Sequence, residues 1–246
     1  MATESPVLLK AGNLRLELSP SIGGAISAFD WVDENASVPI LRKCPHPLAR
    51  VLDAACFPLV PYVNRIRGGE FEFRGRKVRV APNMAGDPSP LHGQGWLCPW
   101  IVERADDRQA NLDFHYIAGE WPWNYKARQE FALDENGFSV TLSCRNLGPG
   151  AMPCGLGLHP YFPCGPDTLI DTKVTDVWTV DDKVLPVEKV PADGRYDLHD
   201  RLVCGQGLDN GFGGWSGEAR LTDPSWPYEI HILSSDARFF QLYSPV

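Results

Sequence analysis

The chain has 246 residues, 43% of them hydrophobic and 22% charged, a length and balance that permit a large buried core. Its formal net charge of −8 argues against a nucleic-acid partner, which would require clustered Lys and Arg, and is compatible with a neutral polyol. No apolar run is long enough to cross a membrane, and Met1–Val7 lacks the basic-then-apolar order of a secretory signal, so a cytoplasmic protein is expected.

Period-two patterning begins at once. In Asn13–Leu18 leucines alternate with polar residues, as in a half-buried strand. Pro47–Cys56 carries the only spacing suited to a short helix (Leu48, Val51, Leu52, Ala55), and its prolines argue against one. Next comes Pro61-Tyr-Val-Asn64-Arg65-Ile66. Adjacent Asn and Arg on an extended segment cannot both face a core, yet beside a turn or bulge both reach a cleft. The Arg65 fork of donors suits vicinal hydroxyls, although a surface ion pair would use it equally well.

Glu70–Val80 reads as a hairpin. A type II′ turn at Gly75-Arg76 would pair Phe73 with Val78 and Phe71 with Val80, with Glu72 opposite Arg79. Leu91-His92-Gly-Gln-Gly-Trp96 follows, an imidazole in a glycine-rich loop with Trp96 and Trp100 behind it. Glycines let backbone approach a ligand, and indole faces suit the C–H face of a sugar, although core packing accounts for tryptophans just as simply. Phe131 and Leu133 lead into Asp134-Glu-Asn-Gly137, after which Phe138, Val140, Leu142 and Cys144 alternate as a second hairpin.

Gly155-Leu-Gly-Leu-His159-Pro-Tyr-Phe162 places a histidine in an apolar, glycine-spaced run. Burying an unpartnered imidazole costs about 2 kcal/mol or more. Pro160 holds His159 extended, so the ring projects from the end of a strand. Further strands are expected at Thr172–Val180, Tyr228–Leu233 and Arg238–Tyr243. Between them, Gln206-Gly-Leu-Asp209-Asn-Gly-Phe-Gly-Gly-Trp215 sets Asp209 in a glycine-rich, aromatic loop, where it would accept hydrogen bonds from hydroxyls or simply close a turn.

His46 and His199 read as surface residues. The seven cysteines (Cys44, Cys56, Cys98, Cys144, Cys154, Cys164 and Cys204) contain no CxxC pair and are expected to be reduced thiols. Cys154, His159 and Cys164 fit no zinc template. The chain has no GxSxG elbow and no phosphate-binding glycine loop, which removes support for serine hydrolase and nucleotide chemistry. The expected architecture is all-β, a single antiparallel β-sandwich domain over residues 1–246 with little or no helix.

In this order, Asn64-Arg65-Ile66 ahead of a Gly-x-Phe hairpin, Leu91-His92-Gly, Gly157-Leu-His159-Pro-Tyr-Phe162, Asp209 and Phe239-Phe-Gln241-Leu-Tyr243 resemble the aldose 1-epimerase (galactose mutarotase) family. The resemblance runs from about Leu14 to the C-terminus. It implies a large β-sandwich that interconverts the α and β anomers of a free aldose. By carry-over, His159 protonates the ring oxygen and His92 assists, while Asn64, Arg65, Asp209 and Gln241 bind the sugar; Trp96, as an indole platform, is expected beside them as a further substrate contact. It implies no metal and no organic cofactor, a small-molecule sugar as the partner, neither nucleic acid nor membrane, and a monomer or homodimer.

The family's general base is a glutamate in a strand beyond the one matching Gln241, and this sequence reaches Val246 before such a strand. Glu218 and Glu229 do not match that motif, so the expected position of the base is in a C-terminal tail outside these residues. Glu120-Trp-Pro-Trp123 replaces a Pro-Gly turn common in the family, so Trp123 either alters the cleft rim or packs. Two alternatives share the fold: a hexose-6-phosphate 1-epimerase, for which Arg67, Arg74 and Arg76 would supply cations, and a non-catalytic sugar-binding or regulatory module. Glycoside hydrolysis ranks last, because it needs two carboxylates and only Asp209 is a cleft candidate.

Overall fold

The computed structural model describes residues 5–246, which fall into two compact units divided between Pro163 and Cys164. Both are built from antiparallel strands, and helix is limited to single 3₁₀ turns such as Val51–Asp53, within the segment where prolines argued against a longer helix. Among the described residues, no helix is long and apolar enough to cross a membrane.

The first unit contains two four-stranded sheets. One runs Val7–Ala11, Leu14–Ser19, Ala25–Val32 and Ser37–Pro39 in that spatial order. The other places Phe138–Asn146, Tyr125–Leu133, Gln109–Tyr116 and Ile101–Ala105 side by side. Alternation dictates what each sheet buries. Leu14, Leu16 and Leu18 face inward from the first sheet, and Tyr125, Ala127, Phe131 and Leu133 from the second. These side chains share one core with Trp100 and Trp121, each fully buried large residue contributing about 2–3 kcal/mol. Trp123 packs into the same core, which settles its place in the Glu120–Trp123 turn as packing. The one buried charge of the second sheet, Asp113, is met by Lys126 and Arg128 from the neighbouring strand, as a buried carboxylate requires.

Both hairpins form. The longer one pairs Phe131 with Val140 and Leu133 with Phe138, and Asp134 Oδ1 accepts the N–H groups of Asn136 and Gly137 to close the turn. The shorter one has a different register from the expected one. Phe73 pairs with Arg76 and Phe71 with Val78, so the turn is Arg74-Gly75. Both turn residues have positive φ (51° and 79°), which is type I′ geometry rather than II′. Glu70, not Glu72, therefore meets Arg79.

The second unit also carries two four-stranded sheets. One orders Arg201–Leu202, Leu169–Thr172, Glu218–Thr222 and Ile230–Leu233, and the other Pro186–Pro191, Asp176–Val180, Leu208–Gly213 and Phe239–Ser244. Thr172–Val180 is thus two strands interrupted at Lys173–Thr175, where the chain passes from one sheet to the other. Cys164 and Cys204 form a disulfide with Cα atoms 6.1 Å apart, which corrects the expectation that all seven cysteines are reduced thiols. The remaining five are free. The bridge closes a loop of about 40 residues, which constrains the unfolded chain by about 4 kcal/mol on a chain-entropy argument.

Candidate functional site

The site in the first unit is built on one short backbone pairing. Gly157 and Leu158 pair with Leu59 and Pro58, and the ladder continues as His159 N–H donates to Phe57 O (3.0 Å) and Tyr161 N–H to Ala55 O (2.8 Å). Pro160 keeps this segment extended and has no N–H to offer, so the ladder skips it. The consequence is a fixed cluster of rings. His159 packs near-parallel to Phe57 (centroids 4.9 Å apart, planes at 29°) and to Tyr161 (4.6 Å, 25°), and Phe57 and Tyr161 also meet each other (6.2 Å, 50°), so the three rings form a triangle. Phe57 stacks in turn on Trp96 (5.5 Å, 26°).

His92 meets this cluster edge-on, its ring 5.6 Å from His159 at 83°. It is held by a reciprocal lock with Asn64. His92 N–H donates to Asn64 O (3.0 Å), and Asn64 N–H donates to His92 Nδ1 (3.1 Å). Both residues adopt positive φ (60° and 63°), a conformation Asn tolerates well and His seldom takes. Because Nδ1 accepts, the uncharged His92 ring carries its proton on Nε2 and presents a fixed donor. The adjoining Gly93 (φ 74°) passes so near the Val60 carbonyl that a Cβ would lie 2.2 Å from its oxygen. Here only glycine fits.

Arg65 extends the same lock. Its N–H donates to Asn64 Oδ1 (2.8 Å), and its guanidinium Nε donates to Asp87 Oδ2 (2.7 Å), with both side chains 17% exposed. Asp87 is steadied by Ser89 N–H, and its carboxyl lies below the usual range. This pair is neither a fully solvated surface bridge nor a free arginine: it fixes the guanidinium through its Nε. Trp96, expected as a sugar platform, is 1% exposed and donates from Nε1 to Leu91 O and Gly93 O. It offers no open face and instead braces the His92 loop and the base of the ring cluster.

Burial lowers both imidazoles. His92 is pushed down to about 3, chiefly by burial and further by His159 and Arg65, and His159 to about 4, chiefly by burial and further by Arg42. Both are uncharged at neutral pH. The sign of the linkage follows directly. Below the ordinary value of about 6.5 the unfolded chain takes up protons that the folded chain refuses, so stability is complete above that pH and drains away as the pH falls toward 4. We predict a loss of about 2–3 kcal/mol per histidine by pH 4. Urea unfolding at stepped pH should show it, with a smaller acid loss in His92→Gln; a midpoint equal at pH 6.5 and 4.5 would contradict the buried, uncharged state.

In the second unit, Asp209 and Gln241 lie on paired neighbouring strands, and Gln241 Nε2 donates to Asp209 Oδ1 (2.8 Å). Sequence reasoning named both without pairing them. It missed Arg42, Phe57, Asp87 and Tyr161, of which only Tyr161, inside His-Pro-Tyr-Phe, lay in a stretch already marked. Asp171, His199 and Asp200 of the second unit bring potential ligand atoms within 4.8 Å of one another. Arg220 lies 3.6–3.7 Å from both carboxylates and already supplies the positive charge there.

Comparison with known proteins follows the same lines. The family model described as aldose 1-epimerase matches residues 7–246. The uncharacterised Escherichia coli K12 protein YphB is 36% identical over 226 residues, which is 90% of this chain and 74% of that one. A crystal structure of an aldose 1-epimerase candidate from Escherichia coli K12 superposes with a TM-score of 0.89 at 33% identity, covering 98% of this chain and 81% of the other. A galactose mutarotase-like protein from Clostridium acetobutylicum shares the fold at 18% identity, with a TM-score of 0.80 over 95% of this chain and 79% of the other.

Proposed function

The chain belongs to the aldose 1-epimerase family, and from that premise we propose that it interconverts the α and β anomers of a free aldose by opening the sugar ring. The observation that carries the reading is the paired imidazoles: two half-buried, uncharged histidines set edge-to-face 5.6 Å apart, each with its ring plane fixed.

Ring opening needs a proton delivered to the ring oxygen and one removed from the anomeric hydroxyl. In this reading His159 delivers the first, and the second passes to a general base, the glutamate that the family resemblance implies. An uncharged imidazole serves as the electrophile at an oxygen that gains negative charge as its bond to the anomeric carbon breaks, and it avoids the repulsion a second cation would meet beside Arg42 and Arg65. His92, with its proton on Nε2, donates a hydrogen bond toward the same oxygen. Arg65, oriented by Asp87, and Asn64 bind hydroxyls, and Asp209 and Gln241 supply further contacts. Rotation about the bond between the first two carbons, followed by the reverse transfers, yields the other anomer. The reading places the protein at work in the cytoplasm, on a free hexose or pentose.

Polarimetry on fresh α-glucose, α-galactose and α-glucose 6-phosphate tests it. We expect faster decay of rotation with the free sugars. A preference for the phosphorylated sugar would replace the substrate class, and binding without any acceleration would leave a sugar-binding module. Arg74 and Arg76 give the phosphorylated substrate no particular support, since Arg76 lies over the Trp123 ring, 5.4 Å from its centroid.

A further inference from the structure

The ring cluster does not end at Tyr161. The Arg42 guanidinium lies over the Tyr161 ring, 3.7 Å from its centroid. Tyr161 in turn meets both His159 (4.6 Å, 25°) and Phe57 (6.2 Å, 50°), His159 meets Phe57 (4.9 Å, 29°), and Phe57 meets Trp96 (5.5 Å, 26°). The imidazole is thus wedged against two rings that also touch each other. A cluster of this kind has few ways to slip, because tilting one ring disturbs the next.

Arg42 is itself anchored at two levels. Its backbone N–H donates to Tyr161 O (2.8 Å), and Nη2 donates to Leu52 O (2.8 Å) and Ala54 O. Those two carbonyls immediately precede the segment whose Ala55 and Phe57 carbonyls receive Tyr161 and His159. The guanidinium thus ties together both strands of the ladder that carries His159. Its Nε is buried with no partner among the described residues. Stability alone does not favour leaving such a donor unsatisfied. The plane that keeps Nε there is the plane that stacks on Tyr161.

We infer that Arg42 is a positioning residue for His159: through Tyr161 it fixes the plane of the imidazole, and it holds a positive charge against that ring's stacking partner. The inference rests on the proposed proton-transfer role of His159 for its catalytic consequence, but not for its structural and electrostatic one. The other groups facing this cluster are accounted for. His92 lies edge-on to His159 and is uncharged, and Arg65 acts mainly on His92. Cys56 is bonded to the His159 backbone with its thiol held protonated by burial. Asp53 and Cys44 lie within the field of Arg42, and Asp53 is already paired with Arg50.

Two variants separate plane from charge. Arg42→Met removes both, and Arg42→Lys keeps the charge while losing the planar fork that stacks and spans two carbonyls. The primary readout is the titration of the His159 imidazole followed by NMR in the full chain, which does not depend on activity. Arg42→Met should raise its midpoint by about half a unit to one unit, as loss of a charge two stacking distances away predicts. The acid limb of kcat/KM for mutarotation should move in the same direction, with KM changed less than about twofold. Arg42→Lys should hold the midpoint within about 0.2 units yet lower kcat about threefold to tenfold, as a loosened ring predicts. An unmoved midpoint in Arg42→Met, with near-UV circular dichroism retained, overturns the inference. If Arg42→Met does not fold, an Arg42→Lys protein with wild-type kcat overturns it instead. Absence of mutarotation in the unaltered protein would dismiss the functional reading while the titration still decides the role of Arg42.

Discussion

His159→Ala is expected to lower mutarotation by about a hundredfold or more, the usual loss when a general acid is removed. The effect should fall on kcat and kcat/KM together, because the proton is delivered in the transition state while other groups hold the ground-state sugar. The substitution also empties the space between Phe57 and Tyr161, so some stability will be lost with the ring. His159→Phe controls for that, since it refills the stack without an acidic N–H. Stopped polarimetry and a thermal melt on both variants make the check. If either retains near wild-type turnover, the imidazole is a packing element and the assigned role fails.

Gly93→Ala is expected to destabilise the protein by about 3–5 kcal/mol, enough to abolish folding at moderate temperature. Two costs combine. The residue has φ 74°, where an L side chain is strained, and its Cβ would lie 2.2 Å from the Val60 carbonyl oxygen. That oxygen is backbone, and it already accepts the N–H groups of Gln94 and Gly95, so it cannot retreat without breaking both. The neighbouring His92 and Asn64 would lose register with each other, so any protein that folds should also bind sugar poorly. Gly75→Ala, at the exposed hairpin tip with nothing within 4 Å of its Cβ, is the matched control and should cost about 1 kcal/mol. Equal loss in the two variants, measured by urea denaturation, would show that positive φ alone and not the close approach governs Gly93.

How much of this was legible follows from how local each signal is. Asp134-Glu-Asn-Gly137 fixed the register of its hairpin because the turn chemistry and the alternation agree. In Glu70–Val80 they compete: glycine marks one positive-φ position, and the second fell to Arg74, which no propensity flags, so the expected register was displaced by two residues. Asn64, Arg65, His92 and His159 could be named because each sits in a short, odd local context. Their mutual arrangement could not be read, because the lock joins residues 28 apart and the ring cluster joins Arg42 and Phe57 to Tyr161 across more than 100. Asp87 carried no local mark at all, since its role exists only opposite Arg65. The disulfide was hidden for the same reason: a separation of 40 residues has no sequence signature, and an odd cysteine count conceals one pair among seven.

In the proposed role of Gln241 and Asp209 as sugar contacts, the bond between them has a bearing on which sugars are told apart. Gln241 already donates to Asp209, so an incoming group competes with an existing partner and gains little by taking only one of the two. A hydroxyl that inserts between them, accepting from the amide and donating to the carboxylate, replaces one contact with two. An ether oxygen or a fluorine in the same place can accept but cannot give, so it takes the amide from the carboxylate without replacing it. Deoxy, methoxy and fluoro sugars therefore form a graded series in which this pair reads not the presence of oxygen but the direction of its proton.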